Sequence, residues 1–331
     1  VDMAKLKYEL LHAYHQKHGY PLRARLFAHI ATISRLGCAL APLSNGVLQS
    51  PLVRWKLDRL LKIDKRRPLP PFARQTFPHW FRSRKAIPPS EGRGRVVLFN
   101  DTFMNYNHPS IGMAATRLLE RAGFHAILVE RKCCGRPMIS QGMLEEARAN
   151  ARYNVELLYP YVAEGAYIVG CEPSCLLTLR DEYPDLLGSG EARAVAGKAL
   201  LLEELLQMLH QEGRLALEFR PTPRRILFHG HCHARALVGV EPALAALRLV
   251  PGFEVEESKA GCCGMAGAFG YEREHYDISM AIGGQRLFPA ISQRGAEDEI
   301  VVNGVSCRQQ VQHGTTRRPR HLAEVLADAL I

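Results

Sequence analysis

"GFHAILVERKCCG" (residues 123–135) and "GFEVEESKAGCCG" (252–264) align without a gap at an offset of 129. Each opens on Gly-Phe, runs through a short β-rich stretch and ends in two adjacent cysteines followed by glycine. The same offset relates "VLF" (97–99) to "ILF" (226–228), and Cys175 and Cys307, each preceded by serine, lie 132 apart. Three landmarks repeated in one order predict an internal duplication.

Short apolar runs alternate with helical stretches around these landmarks. "RVVLFN" (95–100), "HAILVE" (125–130), "AYIVG" (166–170), "RRILFHG" (224–230), "FEVEE" (253–257) and "EIVVNG" (299–304) read as strands. Helices are predicted over 142–162, 192–212, 234–248 and 271–289. Such alternation predicts an α/β fold of two pseudo-symmetric parallel-sheet halves, with cysteines gathered at the carboxyl ends of strands.

Upstream, apolar spacing predicts helices over 3–18, from 21 to about 38, and over 51–62. Residues 64–94 are rich in proline and arginine and read as an arm without regular structure. Phe72, Phe77, Trp80 and Phe81 predict that this arm packs against the body. The expected division is a helical segment 1–63, a basic linker arm 64–94, a first repeat 95–220 and a second repeat 221–331. The chain begins with Val1 in sequence that reads as the middle of a protein, so further sequence is expected upstream.

Hydrophobic residues make up 47% and charged residues 23%, which excludes a disordered chain. No apolar run is long enough to predict a membrane-spanning helix, and no export signal is seen, so a cytoplasmic protein is expected. Residues 1–63 carry 10 Lys/Arg against 3 Asp/Glu and residues 64–95 carry 9 against 2, so of the net +10 the remainder holds −4. A basic N-terminal third suits an acidic partner, anionic lipid or nucleic acid, and a plain solvated surface equally well. Nucleic-acid binding is not expected, because no recognition helix or RNA-binding signature accompanies the charge.

Nine cysteines are too dilute for a disulfide scaffold, and only Cys38 stands apart. The first half offers Cys133, Cys134, Cys171 and Cys175; the second offers Cys232, Cys262, Cys263 and Cys307. Thiolates select zinc, copper(I) or iron–sulfur clusters. Adjacent cysteines point apart and cannot easily share one small ion, but they suit neighbouring irons of a cluster. Gly135 and Gly264 let the backbone turn tightly there and offer N–H groups to sulfur. An iron–sulfur cofactor is therefore the expectation, with zinc and redox-active thiols as alternatives. In "HGHCHAR" (229–235), strand alternation aims His231 and His233 to one side and Cys232 to the other, as further cofactor contacts or as a plain polar strand end.

"CCGRP…CEPSC" followed by "HGHCH…GCCGMAGAFGYE" resembles the duplicated cysteine-rich CCG domain. That domain occurs in the B subunit of heterodisulfide reductase, the iron–sulfur subunit of glycolate oxidase and the C subunit of anaerobic glycerol-3-phosphate dehydrogenase. "VDMAKLKYELL", "DTFMNY", "EHYDISMAIGGQRLFPAI" and "NGVSCRQQ" look more like the C-terminal part of large FAD-linked oxidases of D-2-hydroxy acids. The resemblance covers nearly the whole chain. It implies one or two 4Fe-4S-type clusters and electron transfer from a flavin to quinone or another carrier, at or near the cytoplasmic membrane. It also implies that FAD sits on a domain upstream or on a separate partner protein, and that residues 1–63 are the tail of a ferredoxin-like region.

Two departures from that pattern stand out. The leading cysteine is present as Cys232 but replaced in the first half by Thr102 or Phe103, and the closing pair is Cys171 with Cys175 but Asn303 with Cys307. Each half thus lacks one of five pattern cysteines. A cubane cluster or a noncubane one with a substitute ligand fits four, and an empty or zinc-holding half is the alternative.

Overall fold

β1 (Arg95–Leu98), β2 (His125–Ile127), β3 (Tyr167–Gly170) and β4 (Ala199–Leu201) form a parallel sheet in the order β2-β1-β3-β4. β5 (Arg224–His229), β6 (Phe253–Glu257), β7 (Glu299–Val302) and β8 (Arg320–His321) repeat it as β6-β5-β7-β8. The computed structural model describes residues 2–85 and 93–331. The α/β class and the duplication are as expected.

The registers sharpen the repeat. Val96 pairs with Ala126 and Tyr167, and Ile226 pairs with Val255 and Glu299. Val96 is therefore the counterpart of Ile226, and β1 maps onto β5 at an offset of 130 while β2 keeps 129. The expected match of "VLF" to "ILF" is one residue out. An apolar run can slide by one in a sequence comparison, but in a sheet that slip turns every side chain to the other face.

Side-chain alternation divides the interior into three parts. Val96, Leu98 and Val169 meet Ile226, Phe228 and Val301 in a core shared by both halves. Val97 and Ile168 face an outer core with Val155, Leu158 and Leu179, and Leu227, Ile300 and Val302 face the matching outer core of the second half. Each sheet is thus buried on both faces, which is why its strands read as nearly continuous apolar runs.

β4 and β8 escape sequence reading because they are very short and run straight into helices. The Glu204 carboxylate accepts from the Leu201 N–H at 2.9 Å, and Glu324 accepts from the His321 N–H at 2.9 Å, closing matched capping arrangements. The helix expected over 192–212 is accordingly split into Gly190–Lys198 and Leu202–Gln211. That over 234–248 becomes Cys232–Leu237 and Glu241–Arg248, parted near Gly239 at φ +89°. That over 271–289 becomes Tyr276–Gln285 and Leu287–Ser292, while Leu144–Ala163 is continuous.

The N-terminal segment holds helices Met3–His18, Leu22–Ala28, Ile30–Ala39, Leu43–Gln49 and Pro51–Leu61. The arm departs from expectation, because Phe77–Ser83 is helical and its first turn is capped by the Thr76 hydroxyl. Phe77 is fully buried in the shared core, with Trp80 and Phe81 packed beside it. Part of the arm, 86–92, lies outside the described residues.

Two of the arm's arginines, Arg67 and Arg84, are turned into the body. Arg67, 1% exposed, donates to the Gly270 carbonyl at 2.9 Å, to Gln310 Oε1 at 2.8 Å and to Ser279 Oγ at 3.1 Å. Arg84 pairs with buried Glu120, and Arg66 bridges Asp64 and Asp277. A planar fork of five donors suits such multiple pairing. These pairings hold the arm to the body, while Arg66, Arg74 and Arg82 are exposed. None of the described helices is long and apolar enough to cross a membrane.

Candidate metal centre

Both CCG turns place glycine in the left-handed region, Gly135 at φ +89° and Gly264 at φ +91°. That geometry brings N–H groups onto sulfur: Gly264 donates to Cys262 Sγ at 3.3 Å and Met265 to Cys263 Sγ at 3.5 Å. Gly135 and Arg136 do the same for Cys133 and Cys134. A Cβ on Gly264 would overlap the Ser279 carbonyl oxygen, whereas at Gly135 it would meet only ordinary contacts at 3.5 Å.

In the second half, four thiols form a line. Cys232 and Cys263 both neighbour Cys262, and Cys263 also neighbours Cys307, closely enough to share a proton. That sharing holds the Cys262 and Cys307 thiols well below the ordinary range and pushes those of Cys232 and Cys263 up. Cys263 and Cys307 sit in the outer core, while Cys232, at the start of its helix, is exposed.

The first half groups three thiols. Cys133 hydrogen-bonds to Cys134, and that bond, with burial, raises its thiol. Cys134 is helped down by Cys133 but raised more by Cys175 and by burial. Cys175 is lowered by Cys134, but burial and the carboxylates of Asp101 and Glu172 leave it raised. Cys171 belongs to the shared core, not to the outer core of Cys134 and Cys175. Burial and its neighbours Glu203, Asp101 and Glu172 push its thiol well up. Its counterpart Asn303 lies in the same seam, accepting from the His231 N–H at 2.9 Å and donating to Glu203 Oε1 at 2.8 Å.

The register also identifies the leading position. Asp101 and His231 are both helix N-caps, so Thr102 is the counterpart of Cys232 and Phe99 that of His229. Among the histidines, His231 accepts from the His233 N–H and sits with its ring against Gly304, 3.9 Å from Glu172. His233 lies beside Asp181 and Glu182 across the seam. His229 faces the thiols instead. Its Nδ1 pairs with Ser258 Oγ at 3.0 Å, its Nε2 is buried without a hydrogen bond of normal geometry, and its presence lowers Cys262 and Cys307. Strand alternation singles out His231 and His233; the usable signal for His229 is its place as the last residue of the strand that feeds the cysteine turn.

The donor set tests two kinds of metal group. Zinc bound at about 2.3 Å to each sulfur would hold tetrahedral thiolates about 3.8 Å apart. Among the described residues, no three thiols have sulfurs mutually within 4.8 Å; Asp181, Glu182 and His233 do, but Lys5 and Arg136 already neutralise that pair of carboxylates. A spread line of thiols with N–H donors on sulfur and an orphaned imidazole nitrogen fits a larger polynuclear group in the second half. The first half fits one less well, with three grouped thiols.

A family model described as a cysteine-rich CCG domain matches residues 98–180 and 226–312. The C subunit of the anaerobic glycerol-3-phosphate dehydrogenase of Escherichia coli (strain K12) is 33% identical over 311 residues, 93% of this chain and 77% of that protein. D-2-hydroxyglutarate dehydrogenase of the same organism is 26% identical over 344 residues, 100% of this chain but 32% of that protein. Lactate utilization protein A of Exiguobacterium sp. (strain ATCC BAA-1283 / AT1b) is 28% identical over 253 residues, 71% of this chain and 98% of that protein. Both the glycerol-3-phosphate dehydrogenase component and the D-2-hydroxy-acid enzyme are among the kinds of protein that the sequence stretches resemble. With two matched copies that coincide with the two sheets, the chain belongs to the cysteine-rich CCG domain family.

Proposed function

We propose that this chain is an iron–sulfur electron-transfer module of a dehydrogenase. It accepts electrons from a flavin-bearing domain or partner protein and passes them to quinone or another carrier. The observation that carries this reading is the neighbouring set Cys232, Cys262, Cys263 and Cys307, with backbone N–H groups on two of its sulfurs. When bound there, a 4Fe-4S-type cluster supplies one-electron chemistry. The chain's own residues would ligate it and donate backbone hydrogen bonds to the ligand sulfurs. The names of the relatives, all tied to dehydrogenation or lactate use, support the partnership with a dehydrogenase.

Exposed Met3, Leu6, Leu10, Leu52 and Trp55 support a docking role for residues 1–63, against the flavin partner or at a membrane surface. Because Arg67 and Arg84 are buried, charge reversal to probe that docking belongs at Arg82 and not at those positions. Anaerobic reconstitution tests the cofactor: iron and acid-labile sulfide should be taken up together, with visible absorption and an electron paramagnetic resonance signal on reduction. Uptake of zinc alone, without sulfide, would overturn it in favour of a zinc-stabilised scaffold.

A further inference from the structure

A cavity of about 1010 Å³ opens beside the first CCG turn. It lies outside the carboxyl ends of β1 and β2, where open α/β sheets take ligands. Its walls come from the N-terminal helices, the arm helix Phe77–Ser83, the segment 100–106 after β1, the loop that leads from β2 to Cys133, and the helices that follow that turn.

The lining carries four Arg or Lys side chains against two Glu. Glu130 is matched by Arg82 at 3.5 Å, and Glu146 lies 3.3 Å from His29, an ion pair only when that histidine is protonated. Arg35, Arg131 and Lys132 pair with no carboxylate among the described residues, so they leave uncompensated positive charge around the space. Arg131 is held in place: its guanidinium lies 4.6 Å over the Phe99 ring and donates to the Asn100 and Lys132 carbonyls, leaving Nε buried without a partner. Asn100, 5% exposed, also lines the cavity and has an unpartnered Oδ1. Phe81, Leu128 and Met138 give it an apolar wall.

Fixed cations, an open acceptor and an apolar wall recognise one chemistry. We propose that this cavity binds a small organic anion, a phosphate or carboxylate carried on an apolar body, in contact with the Cys133 turn. The volume is that of a small-molecule site and not of a protein interface. Arg131 and Lys132 supply charge-assisted donors to the anion, and Asn100 Oδ1 accepts a ligand hydroxyl or N–H. Thr102, which stands where the second half has Cys232, lines the same space, so the position that lost its thiol now faces the ligand.

Isothermal titration of the purified chain with hexyl phosphate, inorganic phosphate and 1-hexanol tests this, with or without metal bound. Hexyl phosphate should bind about tenfold more tightly than inorganic phosphate, and hexanol should not bind measurably. Arg35→Gln with Lys132→Gln removes two exposed cations and should weaken hexyl phosphate about tenfold with an unchanged melting temperature. Ala149→Trp, on an exposed lining position, keeps every charge but fills the space and should abolish binding. Hexanol binding as tightly as hexyl phosphate, or titrations unchanged in either variant, would overturn the site.

Discussion

In the second half His229, Cys232 and Asn303 stand where the first half has Phe99, Thr102 and Cys171. The backbones around them are matched strand for strand and cap for cap. One half thereby gains a fourth grouped thiol and an imidazole, and two of its thiols are held low. The other keeps three grouped thiols, all raised, and places its extra cysteine in the seam. On the proposed reading the duplication is specialised, one copy toward holding a metal group and the other, with the N-terminal helices and the arm, toward an open cavity.

The largest expected contrast is in metal content. On the proposed reading, Cys263→Ser should remove most of the reconstituted iron and sulfide, and Cys134→Ser should remove much less. Equal losses, measured by iron and sulfide assay, would make the halves equivalent sites. Cys171→Ser should leave metal content unchanged, because Cys171 faces the shared core.

The glycines of the two turns offer a second contrast. Gly264→Ala combines a positive φ with a clash against the Ser279 carbonyl, a backbone group that cannot swing aside. A loss of about 4 kcal/mol or more is expected, in the range reserved for named structural faults. Gly135→Ala meets only ordinary contacts and should cost the left-handed penalty of about 1–2 kcal/mol. Urea unfolding of both variants checks the difference, and equal losses would remove it.

The seam predicts a pH effect. Burial, against the Asn303 hydrogen bond, raises the Glu203 carboxyl from 4.5 to about 7. The folded chain then keeps a proton that the unfolded chain has released, so the contribution of Glu203 to stability falls as pH rises from about 4.5 to about 7. Glu203→Gln should remove about 3 kcal/mol of that fall. Burial works the other way on His108 and His321, lowered to about 4, and on His233, lowered to about 3. Together they outweigh the rise of Asp101 to about 6, so stability as a whole should rise from about pH 4.5 to 6.5, and more steeply in the variant. Denaturant melts of wild type and variant from pH 4.5 to 8 measure it; identical slopes would exclude Glu203 as the source.

How much of this was legible in the sequence follows from what each feature depends on. The paired sheets and the CCG turns were readable because period, turn glycine and repetition are local properties. β4 and β8 were not, since two or three residues before a helix carry no period of their own. The arm read as unstructured because its prolines and arginines look solvated until Phe77 and Arg67 find buried partners far along the chain. All eight cysteines were legible as one set, but Cys171 falls on the other face of its sheet. Sequence spacing alone does not fix that face, whereas register does.

The smallest expected effect is at the pair His229 and Phe99, and it separates a ligand from a tuning group. His229 is fixed by Ser258 and faces Cys262 and Cys307, while Phe99 fills the matching place with an apolar ring. A nearby imidazole N–H stabilises negative charge on sulfur and so favours the reduced state of a bound cluster. His229→Phe should therefore lower the midpoint potential of the reconstituted protein while iron and sulfide content stay the same. Loss of iron in this variant would instead make His229 a ligand. An unmoved potential with full iron would leave the thiols and the backbone N–H groups as the whole of the second half's difference. Phe99→His, the reciprocal change, adds an imidazole beside three raised thiols and an unpaired Arg131. It should not bring the first half to the metal content of the second, because Thr102 still supplies no thiol.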